Sequence, residues 1–141
     1  MSTVHRWDLG GAKILGSAKV TINSATTTNY DFGTPNDLDL KSLANYKPGD
    51  RILAIMSAST GGATDNLTFS VQDADDNAGN IGTPATADTV GDLAMTTGDG
   101  FTKVAVKIKS GRPWLRFRVT STGATDTFVT HCVVLAIPSA L

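Results

Sequence analysis

Side chains able to act as nucleophiles or proton carriers are scarce in this 141-residue chain. It has two histidines, His5 and His131, and one cysteine, Cys132. His131 directly precedes Cys132, and neighbours on a strand point to opposite faces, so the two form no Cys–His couple by local geometry. All 13 acidic residues are Asp. A carboxylate pair would therefore have to be two aspartates, and no spacing marks one. The sequence contains no G-x-S-x-G elbow, no H-E-x-x-H and no phosphate loop. A single cysteine excludes an intrachain disulfide and any multi-cysteine zinc site. These features predict a protein that is not an enzyme and takes no cofactor.

The densest group of oxygen donors runs from Asp73 to Asn80. Hard oxygen ligands at this density suit calcium, and Asp73, Asp75 and Asn77 fall at the first, third and fifth places of an EF-hand-like loop. Ala78 then stands where glycine is needed, and Pro84 where a bidentate Glu is needed. An EF-hand is excluded. Asp73, Asp75 and Asn77 remain the candidates for a looser calcium loop, against the preferred reading of a solvated acidic turn that closes a strand. No metal is predicted.

Charge is unevenly distributed. Seven Asp and no Lys or Arg lie between Asp65 and Asp99, whereas six Lys or Arg and no acid lie between Lys103 and Arg118. If 101–109 and 113–120 form a hairpin through Ser110–Pro113, Lys103, Lys107, Lys109, Trp114, Arg116 and Arg118 share its outer face. Arg suits bidentate carboxylate contacts and Trp supplies apolar area, so this face is a candidate contact surface. The alternatives are a solvated face and a face paired with the chain's own acidic loop. One Trp is not an aromatic series for stacking bases, and the net charge of −1 does not mark a nucleic-acid binder.

The elements that would position these residues are strands. Thr occurs 20 times, Gly 14 times and Glu never; strands and turns use the first two, and helix surfaces the third. Segments 18–23, 66–73, 101–109 and 113–120 alternate apolar and polar residues. Segments 51–57 and 127–137 are apolar on nearly every residue, as in strands covered on both faces. Segment 37–46 fits either a strand, through Leu38 and Leu40, or a helical turn, through Leu40, Leu43 and Ala44. Residues 74–99 read as a long loop with one or two short strands. The run Ser59–Asp65 recurs as Ser121–Asp126, each copy between two apolar strands. The expected fold is all-β, an antiparallel β-sandwich of jelly-roll type with a long loop near 74–99. No run of 18 apolar residues exists, so no membrane-spanning helix is expected, and the N-terminus lacks the apolar core of a secretory signal.

Residues 1–17 are expected to form an N-terminal arm or strand, and 18–141 one sandwich domain. The arm places Val4, Trp7, Leu9, Ile14 and Leu15 among glycines. Such an arm docks on the chain's own sheet, on a neighbouring copy or on a partner.

Several segments together resemble the jelly-roll decoration, or cement, proteins of tailed bacteriophages. They are Tyr30–Gly33 entering the domain, Asp50–Ile55 as the first long core strand, Thr60–Asp73 as a hairpin, and Trp114–Val119 leading to the final strand. The resemblance covers roughly residues 18–137 and rests on general pattern. It implies a homo-dimer or homo-trimer on the outer capsid surface of a virion, bound to the major capsid protein at junctions between capsid subunits, with no catalytic residues, nucleic acid or membrane involved. Val4, Trp7 and Leu9 of the arm and Lys107, Lys109, Trp114, Arg116 and Arg118 are the expected contacts. The rival expectation is a carbohydrate- or receptor-binding β-sandwich module, which would need exposed aromatics; the chain has nine aromatic residues in all, and alternation assigns Phe69 and Phe117 to the core.

Overall fold

Period-two alternation is what builds the long strands, because every second side chain must reach one shared interior. The computed structural model describes residues 13–23, 25–33, 36–43, 48–59, 66–95, 100–123 and 127–136. In chain order they form β1 (Lys13–Ile22), β2 (Thr27–Asn29), β3 (Leu38–Asp39), the helical turn α1 (Leu40–Leu43), β4 (Arg51–Ser59) and β5 (Leu67–Ala74). There follow β6 (Asp76–Asn77), β7 (Asn80–Ile81), β8 (Ala85–Thr86), β9 (Asp88–Gly91), β10 (Ala94–Met95), β11 (Gly100–Lys107), β12 (Trp114–Ser121) and β13 (Phe128–Ala136).

Two antiparallel sheets face each other. The five-stranded sheet runs β1-β13-β4-β11-β9, and the six-stranded sheet runs β10-β5-β12-β2, with β3 beside β12 and β8 beside β5. The eight framework strands are β1, β2, β4, β5, β10, β11, β12 and β13. Counted in that order, one sheet contains the first, eighth, third and sixth, and the other the second, seventh, fourth and fifth. This interleaving is a jelly roll. The segment expected to be a long loop is a run of short strands, β6 to β10, separated by turns and stitched to β5, β11 and each other.

The core lies between the sheets. The five-stranded sheet contributes Ile52, Met56, Val104, Val106, Phe128 and Cys132, and the six-stranded sheet Leu67, Phe69, Val71, Leu115, Phe117 and Val119. Phe32 meets the Phe117 ring edge-on at 5.7 Å, an arrangement aromatic quadrupoles favour. Residues 37–46 realise both readings in sequence: Leu38–Asp39 pairs with β12, and Leu40–Leu43 turns as α1; residues 44–47 lie outside the described residues.

The expected hairpin at 110–113 is corrected. A tight turn is present, with the Arg112 amide donating to the Lys109 carbonyl at 3.2 Å and Gly111 at φ 72°. Its arms, however, separate after a single bridge, Lys109↔Arg112. β11 pairs with β4 and β9, whereas β12 pairs with β5, β2 and β3. Both strands do send their apolar residues inward, but from opposite walls of the core. Alternation is the same for a hairpin within one sheet and for a corner between two.

Candidate interaction surface

Because β11 and β12 lie in different sheets, the six basic and aromatic residues assigned to one face are split. Lys103 and Lys107 stand on the outer face of the five-stranded sheet. Trp114, Arg116 and Arg118 point outward from the other sheet, where each is taken up by the chain itself. Trp114 is only 1% exposed, and its Nε1 donates to Oδ1 of Asp76 at 2.9 Å. That carboxylate also meets Nζ of Lys41 at 2.5 Å. The bond from Lys41, then that from Trp114, hold the Asp76 carboxyl down at about 2. Arg116 grips Asp37 in a two-pronged contact, Nε to Oδ1 at 3.0 Å and Nη2 to Oδ2 at 2.9 Å. This contact raises the guanidinium pKa further. Arg118 Nε donates to Ser70 Oγ at 3.1 Å. Trp114 is thus not an exposed contact residue; it is a buried side chain capped by the acidic segment.

Lys109 and Arg112 flank the corner turn and hold its neighbours together. Arg112 donates through Nε to Asp73 Oδ1 and through Nη2 to the carbonyls of Asp73 and Thr83 at 2.7 and 3.1 Å. Lys109 Nζ lies 3.4 Å from Asp73 Oδ2, the oxygen that makes no geometric hydrogen bond, and donates to the Thr86 carbonyl at 3.3 Å. A cleft of about 220 Å³ beside this turn is lined by Leu40, Lys41, Pro48, Ile108, Lys109 and Arg112 among others. Its three cations are all committed to Asp73 or Asp76.

Of the candidate calcium ligands, Asp73 and Asp75 are engaged within the chain. Asp73 is buried at 1% exposure between Arg112 and Lys109, which already balance its charge. Asp75 Oδ1 accepts from the Thr83 amide at 3.0 Å. Asn77 is exposed on β6. Among the described residues, no group of three or more His, Cys, Asp or Glu is placed to hold a metal ion. His131 is exposed and Cys132 buried on opposite faces of β13. Burial pushes the Cys132 thiol pKa up, away from the reactive thiolate. Val4, Trp7 and Leu9 lie outside the described residues, and β1 already begins at Lys13.

One apolar surface among the described residues was missed by sequence reading. Along the outer side of the five-stranded sheet, the register lines up Val90 on β9, Ala105 on β11, Leu53 on β4, Leu135 on β13 and Ile14 on β1. The next row holds Lys103, Ile55, Val133 and Ser17, and the one after it Phe101, Ser57, His131 and Lys19. Ile14, Val90 and Phe101 are 68, 69 and 68% exposed and are the exposed large apolar side chains among the described residues. All three stand on this face. With strands about 4.8 Å apart, the five-residue row is roughly 19 Å wide. An apolar row rimmed by polar and charged residues is a candidate interaction site. The signal was present in the sequence: β4 and β13 are apolar on both faces, which predicted cover on both. The core covers the inner side, and among the described residues nothing covers the outer one.

No protein-family model and no curated protein matches the sequence. Solved structures resemble it at low identity. The CBM22-1–GH10 modules of Clostridium thermocellum endo-1,4-β-D-xylanase 10B, complexed with xylohexaose, align at 9% identity over 89% of this chain and 27% of that chain, with TM-score 0.48; the chain therefore spans about a quarter of the xylanase chain. The SPBc2 prophage-derived protein YomS aligns at 14% identity over 84% of this chain and 94% of that one, with TM-score 0.38. A chain of the cyanophage Pam1 capsid asymmetric unit aligns at 16% identity over 91% of this chain and 86% of that one, with TM-score 0.39.

Proposed function

We propose that this chain is a non-enzymatic structural protein of a tailed-phage virion, binding the outer surface of the capsid and cementing neighbouring capsid subunits as a homo-dimer or homo-trimer. The observation that carries this reading is the apolar row across the outer face of the five-stranded sheet, with nothing laid over it among the described residues. The resemblance in sequence pattern to decoration proteins supports it, as does the jelly-roll order of the strands.

Size matters to the mechanism. The three rows, roughly 19 Å wide and about 14 Å tall, cover ~260 Å², about a third of what one partner buries in a standard stable interface. One copy alone would bind weakly. An oligomer that places two or three such faces on adjacent capsid subunits gains avidity without new contacts, and its binding favours the assembled shell by mass action.

The carbohydrate-binding alternative gains less support. Its stacking platform would need several exposed aromatics, yet Tyr30, Phe69, Trp114, Phe117 and Phe128 are buried, and Phe101 is the one largely exposed aromatic among the described residues.

The test is co-sedimentation of the purified protein with capsids assembled from the major capsid protein encoded in the same genome. Saturable binding that raises the melting temperature of the shell is expected. A protein that stays in the supernatant at micromolar concentration would overturn the reading.

A further inference from the structure

Resting on the capsid-binding reading, we infer that the outer face of the five-stranded sheet recognises an acidic protein surface, an apolar patch on the capsid rimmed by carboxylates. The inference comes from how the chain spends its cations. The basic side chains of the six-stranded sheet, the corner turn and α1 are ion-paired internally with Asp37, Asp73 and Asp76, apart from Arg118, which is hydrogen-bonded to the neutral Ser70. Lys19, Arg51, Lys103 and Lys107 make no ion pair among the described residues, and all four stand on the outer face of the five-stranded sheet, around the apolar row. Among its strand residues that face carries one carboxylate, Asp88, opposite Lys107 at the β9 edge.

An apolar centre with a basic rim is complementary to an apolar centre with an acidic rim, and rim charges of this kind steer encounter and set orientation. Two copies of the face set against each other would oppose cation to cation, so a second copy is the poorer fit. Double-stranded DNA carries about one charge per 1.7 Å; four cations spread around aliphatic side chains are too sparse to track it. The occupant that matches both the apolar row and its rim is an acidic protein surface.

Three variants test this against the wild type in the capsid co-sedimentation assay. The first replaces Lys19, Arg51, Lys103 and Lys107 by Gln. The second carries I14D, V90D and F101D, all at exposed positions. The third is Lys41→Gln, a cation away from the face. Melting curves and circular dichroism confirm that each is folded. The first variant should bind about tenfold more weakly in low salt, with the difference closing at high salt as charges are screened. The second should lose more than about tenfold at both salts, and the third should bind as wild type does. Wild-type binding that survives the first two variants overturns this inference and leaves capsid binding intact. No wild-type binding overturns both. Tighter sedimentation with phosphatidylserine vesicles or with a short DNA duplex than with capsids overturns the partner class. Self-association abolished by the second variant overturns it as well, by assigning the face to contacts between copies.

Discussion

The hydroxyl of Tyr30 crosses the interior of the sandwich and donates to Oγ1 of Thr130 at 2.8 Å, with both residues at 0% exposure. Thr130 in turn donates to the carbonyl of Val20 at 2.9 Å. Tyr30 follows β2 in one sheet, while Thr130 and Val20 lie on β13 and β1 of the other, so this short relay is a polar tie through an apolar core. Burial pushes the Tyr30 phenol pKa up, which keeps it a donor at any ordinary pH. The direction of the two bonds predicts unequal mutations. Tyr30→Phe removes a donor but leaves Thr130 bonded to Val20, and should cost about 1 kcal/mol. Thr130→Val leaves a buried phenol without an acceptor and should cost about 2–3 kcal/mol. Urea unfolding of both variants decides the order; a costlier Tyr30→Phe would mean that the relay runs the other way.

Asp73 makes a second asymmetric pair with Arg112. The carboxylate is 1% exposed, whereas the Arg112 side chain is 27% exposed. Removing the exposed partner should therefore do more harm than removing the charge on the buried one. Arg112→Ala leaves a buried carboxylate facing Lys109 alone and should destabilise by about 3 kcal/mol. Asp73→Asn leaves Arg112 free to hydrate and should cost roughly half as much. Chemical denaturation measures both. Equal losses would show that Lys109, 3.4 Å away, swings in to compensate.

Cys132 gives a test of core integrity. Fully buried on β13 and with its thiol pKa raised, it should resist a thiol reagent at pH 8 in the native protein and react at once in denaturant. In the native state the labelling rate should follow global unfolding, because β13 is a central strand paired on both sides, with β1 and β4. Rapid labelling without denaturant would place Cys132 in a locally opening edge.

How far the sequence could be read depended on the kind of information each residue carries. Leu67, Phe69 and Val71, and likewise Leu115, Phe117 and Val119, alternate with polar residues, and all six are buried. A hydrophobic pattern states directly which side is in. It does not state which sheet a strand joins, so Val104 and Val106 were read correctly as inward while β11 and β12 were placed side by side. β2 was illegible because Thr27–Asn29 has no apolar alternation; it is held by register with Arg118, Val119 and Thr120. β1 was read only from residue 18 because Gly16 and Ser17 break the pattern next to a bulge between Ile14 and Gly16. The Ser59–Asp65 and Ser121–Asp126 runs, partly outside the described residues, both carry the chain from one sheet to the other. Asn66, just before β5, and Thr122, just after β12, exchange bonds at 2.9 Å. At the surface, the basic and aromatic residues of 103–118 were legible as chemistry but not as partners. Asp37, Asp73 and Asp76 lie 36 to 79 residues away from the groups of this segment that they bind, and no local spacing announces such pairs.

Asp76 supplies a prediction in which the sign of the pH dependence can be worked out. Its carboxyl titrates at about 2 in the folded protein, against an ordinary 3.8, because the ionised form accepts from Lys41 and Trp114. A carboxyl whose pKa is lowered by folding stabilises the fold above its unfolded pKa and loses that stabilisation as pH falls through the folded one. The melting temperature of the wild type should therefore exceed that of Asp76→Asn by a constant margin above about pH 4, and the margin should close between about pH 4 and pH 2. Salt should shrink it as well, since Lys41 is 43% exposed. Trp114 offers an independent reading, because its indole N–H is bonded to the titrating group. In a Trp7→Phe background, its fluorescence should show a transition centred near pH 2, absent in Asp76→Asn. A transition centred at the ordinary carboxylate value would mean that neither Lys41 nor Trp114 holds the ionised form in solution.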